Sequence, residues 1–221
     1  MFDGKFRKSV DVATAPVGRW LVRAGFSADV LTGSGLVFAG LTGWAIGTGH
    51  HHLAILLLIA TGAHDLFDGP VAKASHRASQ RGSFFDSVID RISDAALLAG
   101  AAYYLTAHHH GQLVLLPFAV LTSTFMISYQ RSKAESLGLS AKGGLMERAE
   151  RMILLGVGLL ATQIFVPVLW VMLVLTTMTA AGRFWRVWQI AACPAPPAPA
   201  RLRTHVHTGR RRRGLSRTSR H

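Results

Sequence analysis

The sequence is poor in cysteine, and long stretches of it carry no charge. A single cysteine, Cys193, stands among 221 residues, so an internal disulfide framework is excluded. Asp, Glu, Lys and Arg together make up 16% of the chain, where a soluble domain carries about a quarter. All four are absent from Val30 to His64, from Ala95 to Gln130 and from Met152 to Gly182. Half of the residues are apolar and mean hydropathy is +0.31, which excludes a chain disordered throughout. No compact apolar stretch with a small-residue cleavage site follows Met1, so no signal peptide is expected.

The uncharged runs set the fold class. A helix crosses the hydrocarbon of a bilayer with about 20 apolar residues. Each run is too long for one crossing and suits two joined by a tight turn. The breaks fall at Gly47, Thr48 and Gly49, at His108, His109, His110 and Gly111, and at Pro167. Pro167 lacks an N–H donor and disfavours helix at Val166. The chain therefore reads as an all-α, polytopic membrane protein. Its six transmembrane helices are expected at roughly 29–47, 52–72, 84–107, 112–135, 147–165 and 167–190.

Net charge is +13, which in a soluble protein would suit nucleic acid. Here the cations lie elsewhere. All 24 Lys and Arg fall in the N-terminal segment, the second-to-third connection, the fourth-to-fifth connection or the C-terminal end. The three expected outer turns have none. Positive charge collects on the cytoplasmic side, so a multi-pass cell-membrane protein with both termini cytoplasmic is expected, and no nucleic-acid partner. Phe2, Phe6, Val10, Val17, Trp20, Leu21 and Val22 can line one face of an N-terminal interfacial helix beside Lys and Arg; a loose basic leader is the alternative. Residues 1–192 are read as the membrane domain. Residues 193–221, with Pro194, Pro196, Pro197, Pro199 and the run Arg210–Arg213, read as a disordered basic cytoplasmic tail that rests on anionic lipid. Six of the eleven His residues lie in two outer turns and read as solvated.

Five acids crowd into one short stretch: Asp65, Asp68, Asp86, Asp90 and Asp94. Asp65 and Asp68 are spaced i, i+3 at the end of the second span. Asp86 and Asp90 are spaced i, i+4 at the start of the third. Each pair shares a helix face. A short connection makes these helices antiparallel neighbours, so the two pairs are expected to meet at the cytoplasmic edge. Ionised carboxylates packed together beside a membrane repel one another and resist desolvation, and need a positive partner. Lys73 and Arg77 can supply some of it. An oxygen-only donor set suits Mg²⁺ or Mn²⁺, and four acids can hold two such ions. Two close metals suit phosphoryl transfer. The alternative is a set of interfacial acids that cap helices and pair with loop arginines. Asp94 lies a further turn along and reads as a supporting residue.

Residues 65–90 resemble the signature of the CDP-alcohol phosphatidyltransferase family, D-x2-D-G-x2-A-R-x8-G-x3-D-x3-D. Asp65, Asp68, Gly69, Ala72, Gly82, Asp86 and Asp90 match it, and Lys73 stands where the family usually has Arg. The substitution keeps the charge and loses a bidentate phosphate grip. The resemblance implies that a CDP-linked lipid binds with its diphosphate on a two-metal centre, that a hydroxyl attacks the lipid-side phosphorus, and that CMP leaves. It makes Asp65, Asp68, Asp86 and Asp90 metal ligands and Asp90 also the general base. It places Gly69, Lys73 and Ser79, with Asp29, Val30, Leu31 and Thr32, around CDP-diacylglycerol.

Segments 15–32, 127–139 and 143–151 and the Arg183 region are similar to the actinobacterial phosphatidylinositol phosphate synthases of that family. This likeness spans about residues 10–190 and implies a basic pocket for the acceptor's phosphate, at Ser128, Arg131, Arg151 and Arg183, with Arg131 in place of Lys. Three cations that converge there would hold a phosphorylated polyol by charge-assisted hydrogen bonds; the alternative is that they anchor helix ends at headgroups. Inositol 1-phosphate is the expected acceptor, with glycerol 3-phosphate as the alternative. The family also suggests a homodimer. A divalent-cation carrier is the reading from another class.

Overall fold

The computed structural model describes residues 5–25, 27–75, 79–108, 111–141 and 143–192; for 5–13, 72 and 73 it describes the backbone alone. The Lys73 side chain, the Met1 end, Arg77, His109, His110 and the tail from Cys193 lie outside the described residues. The described residues form seven α-helices and no strand: α1 (Lys5–Arg23), α2 (Ala28–Gly47), α3 (His51–Ala74), α4 (Gln80–His108), α5 (Leu115–Ser136), α6 (Arg148–Leu160) and α7 (Thr162–Ala192). A single 3-10 turn, Gln112–Val114, leads into α5.

Local chemistry sets the helix ends. The Ser27 side chain accepts from the Val30 N–H at 3.3 Å and caps α2, with Asp29 in the first turn, where a negative charge suits the helix dipole. At the other end the chain turns back through Gly49 at φ 78°, a backbone state costly for residues with a Cβ. Ser79 Oγ accepts from the Gly82 N–H at 3.0 Å and caps α4.

Glycine also decides how the helices pack. A Cβ on Gly100 of α4 would stand 2.1 Å from the Gly43 carbonyl oxygen of α2, and one on Gly43 would stand 2.3 Å from the Ala96 carbonyl oxygen. The two backbones touch, as small residues permit between membrane helices. Apolar side chains of α2 to α7 fill the centre, among them Ile46, Leu105, Val120, Leu159, Phe165 and Leu169. Several buried hydroxyls bond within their own helix: Thr42 donates to the Phe38 carbonyl at 2.7 Å and Thr176 to the Met172 carbonyl at 2.7 Å, the local pairing open to Ser and Thr in a helix. Large apolar side chains, including Trp44, Leu56, Tyr103 and Trp170, face outward.

Among the described residues, four helical segments are long and apolar enough to cross a membrane: Ala28–Gly47, His51–Val71, Gln112–Ser136 and Thr162–Ala192. The α4 helix opens with Asp86, Asp90, Arg91 and Asp94. The α6 helix has 13 residues and spans only about 20 Å at 1.5 Å per residue.

Two expectations need correction. The fifth-to-sixth break is not at Pro167 but at Ala161, which is extended (φ −145°, ψ 123°). Pro167 instead sits inside the second turn of α7, where its missing N–H removes one intrahelical bond and the helix continues. Nor are α3 and α4 neighbours along their length. The α2 helix packs extensively against both, because its small residues Gly35, Ala39 and Gly43 admit them closely, and the acidic ends of α3 and α4 meet across a gap.

Candidate active site

Asp65 and Asp68 project from the last turns of α3, and Asp86, Asp90 and Asp94 from the first turns of α4. The Asp68 and Asp86 carboxyls come within reach of a side-chain hydrogen bond, and Asp65 interacts electrostatically with Asp86 and Asp94. The two helices thus bring five carboxyls to one place. Beside Asp68, a Cβ on Gly69 would meet nothing within 4 Å, so that side of the helix is open to a ligand. Asp29 Oδ1 lies 3.7 Å from the Cβ position of Gly82, which brings the start of α2 to the start of α4, where Ser79 caps. Thr32 is buried and donates to the Ala28 carbonyl at 3.0 Å, Leu31 is buried, and Val30 is exposed.

A cation that sequence reasoning left in the loop occupies the centre. Arg148, the first residue of α6, donates through Nε to Asp65 Oδ2 at 2.6 Å and through a terminal nitrogen to Asp65 Oδ1 at 3.1 Å. Its other terminal nitrogen lies 2.9 Å from Asp90 Oδ1 and 2.7 Å from the Asp90 carbonyl oxygen, and 3.8 Å from Asp94 Oδ1. One turn later Arg151 pairs with Asp94 at 2.6 Å, and both residues are buried. Arg148 and Arg151 are spaced i, i+3 and share a face; that spacing was the available signal. Asp94 is therefore a partner of two arginines.

The arginines border a polar cavity of about 160 Å³, to which Asp90, Ser128, Arg131, Glu147, Arg148, Arg151 and Arg183 all contribute. All four residues singled out for an acceptor's phosphate meet there. Arg183 is 2% exposed. It donates to the Ile127 carbonyl at 2.8 Å and the Gly143 carbonyl at 3.2 Å, while its buried Nε has no partner among the described residues. Arg131 forms an i, i+4 pair with Glu135 at 3.0 Å on the open side. On the other side of Arg148 a larger groove, about 580 Å³, runs between α3 and α6 along Ile55, Leu58, Met152 and Val157, with Asp65 at its polar end. Arg148 lines both spaces.

The donor chemistry of the cluster, carboxylate oxygens alone, suits a hard divalent cation. Its present arrangement does not: among the described residues no three His, Cys, Asp or Glu side chains stand together at metal-ligand spacing. Arg148 engages two of the four candidate ligands.

The profile of CDP-alcohol phosphatidyltransferases matches residues 26–181. The chain belongs to that family. It is a transferase, and the match spans both helices of the acidic cluster and every residue that lines the polar cavity except Arg183, two positions beyond its end. The membership sets aside the cation-carrier reading. The chain is 35% identical over 167 residues to a phosphatidylinositol phosphate synthase of Corynebacterium glutamicum, covering 73% of this chain and 75% of that protein. It is 36% identical over 145 residues to an archaetidylinositol phosphate synthase of Methanothermobacter thermautotrophicus, covering 66% and 72%. Its fold is similar to the phosphatidylinositol phosphate synthase of Mycobacterium tuberculosis solved with CDP-DAG bound: TM-score 0.74, 26% identity, 83% of this chain and 98% of that one. A structure of the same mycobacterial protein with manganese and citrate gives TM-score 0.73 at 25% identity, with 83% and 93% covered.

Proposed function

We propose that the transferase moves the phosphatidyl group of CDP-diacylglycerol onto the hydroxyl of a phosphorylated polyol, inositol 1-phosphate, to give phosphatidylinositol phosphate and CMP. The observation that carries this reading is the polar cavity. It gathers Ser128, Arg131, Arg151 and Arg183, cations and a hydroxyl that suit a phosphate, with Asp90 on the same wall. The unpartnered Nε of buried Arg183 supports an anionic occupant, because a buried donor without an acceptor is costly.

In this reading the apolar groove between α3 and α6 takes an acyl chain, and the diphosphate lies over Asp68, the open face of Gly69 and Asp29, with Ser79 and Lys73 at its edge. Asp65, Asp68, Asp86 and Asp90 would hold two divalent ions, Mg²⁺ or Mn²⁺, which neutralise the diphosphate and the departing CMP. Asp90 accepts the proton of the attacking hydroxyl. The new bond joins that oxygen to the lipid-side phosphorus, and the phosphoanhydride bond to CMP breaks. A general base has to lie within hydrogen-bond reach of the proton it takes, and Asp90 borders the acceptor cavity.

The same reading has six spans, α2 to α7, of which α6, packed on α3 and α7, is the shortest. The α1 helix lies on the cytoplasmic surface with Trp20 outward, and both termini are cytoplasmic. The chain works as a homodimer. Glycerol 3-phosphate is the competing acceptor, since it carries the same phosphate and a primary hydroxyl. Purified protein in detergent, given CDP-diacylglycerol and each acceptor in turn, decides between them by CMP release. Release with inositol 1-phosphate and little with glycerol 3-phosphate is expected; the reverse would reassign the acceptor.

A further inference from the structure

We propose that Arg148 is an exchangeable counter-ion of the acidic cluster: its guanidinium holds Asp65 and Asp90 together before divalent ions bind, and leaves them when the ions take its place. The inference rests on the reading of the four aspartates as metal ligands.

Arg148 spends every arm of its guanidinium on the cluster. It is bidentate to Asp65, it reaches the side chain and the backbone carbonyl of Asp90, and it comes within 3.8 Å of Asp94. A planar fork that matches a carboxylate in this way forms the strong kind of ion pair. The contacts join α6 to both α3 and α4, which otherwise do not pack along each other. A cation is therefore present where two of the proposed ligands would turn to a metal. Arg148 occupies both oxygens of Asp65 and Oδ1 of Asp90, so a divalent ion that takes these oxygens competes with the guanidinium for them. Positive charge from Arg148 beside a bound dication is also unfavourable.

Arg148 has somewhere to go. It stands on the wall between the acyl groove and the acceptor cavity, and its side chain is 17% exposed. Arg151 does not share this freedom, because Asp94 holds it in a buried pair and the Met146 carbonyl accepts from its other arm at 3.4 Å. Asp94 is thereby positioned to keep the second arginine in place while the first moves.

The test uses the wild-type protein in detergent, with arginine-specific labelling by phenylglyoxal read by mass spectrometry, without and with Mn²⁺ and with no substrate. Mn²⁺ occupancy is followed in the same samples by electron paramagnetic resonance. Labelling of Arg148 is expected to accelerate several-fold when Mn²⁺ binds, while that of Arg183 stays constant. Bound Mn²⁺ with unchanged or slower labelling of Arg148 would overturn the exchange and leave the metal reading intact. Failure of Mn²⁺ to bind at all would overturn both. An Arg148→Gln variant gives a second readout: without its competitor the cluster is expected to bind Mn²⁺ roughly tenfold more tightly, the size of one lost charge-assisted hydrogen bond. Equal or weaker binding by a folded variant would contradict the proposal.

Discussion

Replacement of Asp94 by Asn measures how firmly the polar cavity is built. Asp94 and Arg151 touch at 2.6 Å with side chains 9% and 10% exposed, so solvent screens the pair little. Asn keeps the shape of the side chain and removes the charge, which leaves the Arg151 guanidinium buried and uncompensated. Loss of one partner from a buried pair costs about 3–5 kcal/mol. At about 2–4 °C per kcal/mol for a chain of this size, the thermal midpoint in detergent should fall on the order of 10 °C. Arg151→Met should cost a similar amount, because it strands Asp94 beside Arg148 alone. The double variant should recover much of the loss, as replacement of both charges by packed groups can be close to neutral. Differential scanning fluorimetry of all four proteins closes the cycle. Single variants within about 1 kcal/mol of wild type, or strictly additive effects in the pair, would refute the buried-pair reasoning.

Four further outcomes are expected. Asp90→Asn should abolish CMP release while the protein still inserts and purifies as a folded membrane protein; retained turnover would remove Asp90 as the base. Gly100→Ala should destabilise by about 1–3 kcal/mol, the range for an overpacked contact, because its Cβ would meet the Gly43 carbonyl at 2.1 Å; an unchanged midpoint would mean that the α2–α4 contact yields easily. Chelation by EDTA should stop CMP release, and Mg²⁺ or Mn²⁺ should restore it. A chain ending at Ala192 should keep most of its transfer activity, with any loss read as weaker association with anionic vesicles.

The acidic cluster was legible because period and proximity coincide. Asp65 and Asp68 sit three apart and Asp86 and Asp90 four apart, either side of a short connection, so any helical reading brings them together. The arginines of the polar cavity were legible as a group only through the family resemblance, since Arg131, Arg151 and Arg183 come from three helices. The place of Arg148 was not legible. Its partner Asp65 is 83 residues away, and in sequence it is one more cation in a basic connection. The separation of α3 from α4 was hidden for a related reason. It follows from backbone contact at Gly43 and Gly100, and a sequence does not state which glycine of a run faces another helix. The Pro167 break failed because proline ends a helix only where the lost bond matters, and in the second turn of α7 it costs one bond. The apolar core and the breaks at Gly49 and Gly111 followed from the uncharged runs.

The most direct measurement follows phosphorus. Inositol 1-phosphate labelled with ³²P is given to the purified protein with CDP-diacylglycerol and Mg²⁺, and label in the lipid phase is compared with CMP released. One labelled lipid for each CMP is expected, since the acceptor's own phosphate stays in the product. CMP released without label in lipid, or no CMP at all, would contradict transfer to a phosphorylated polyol.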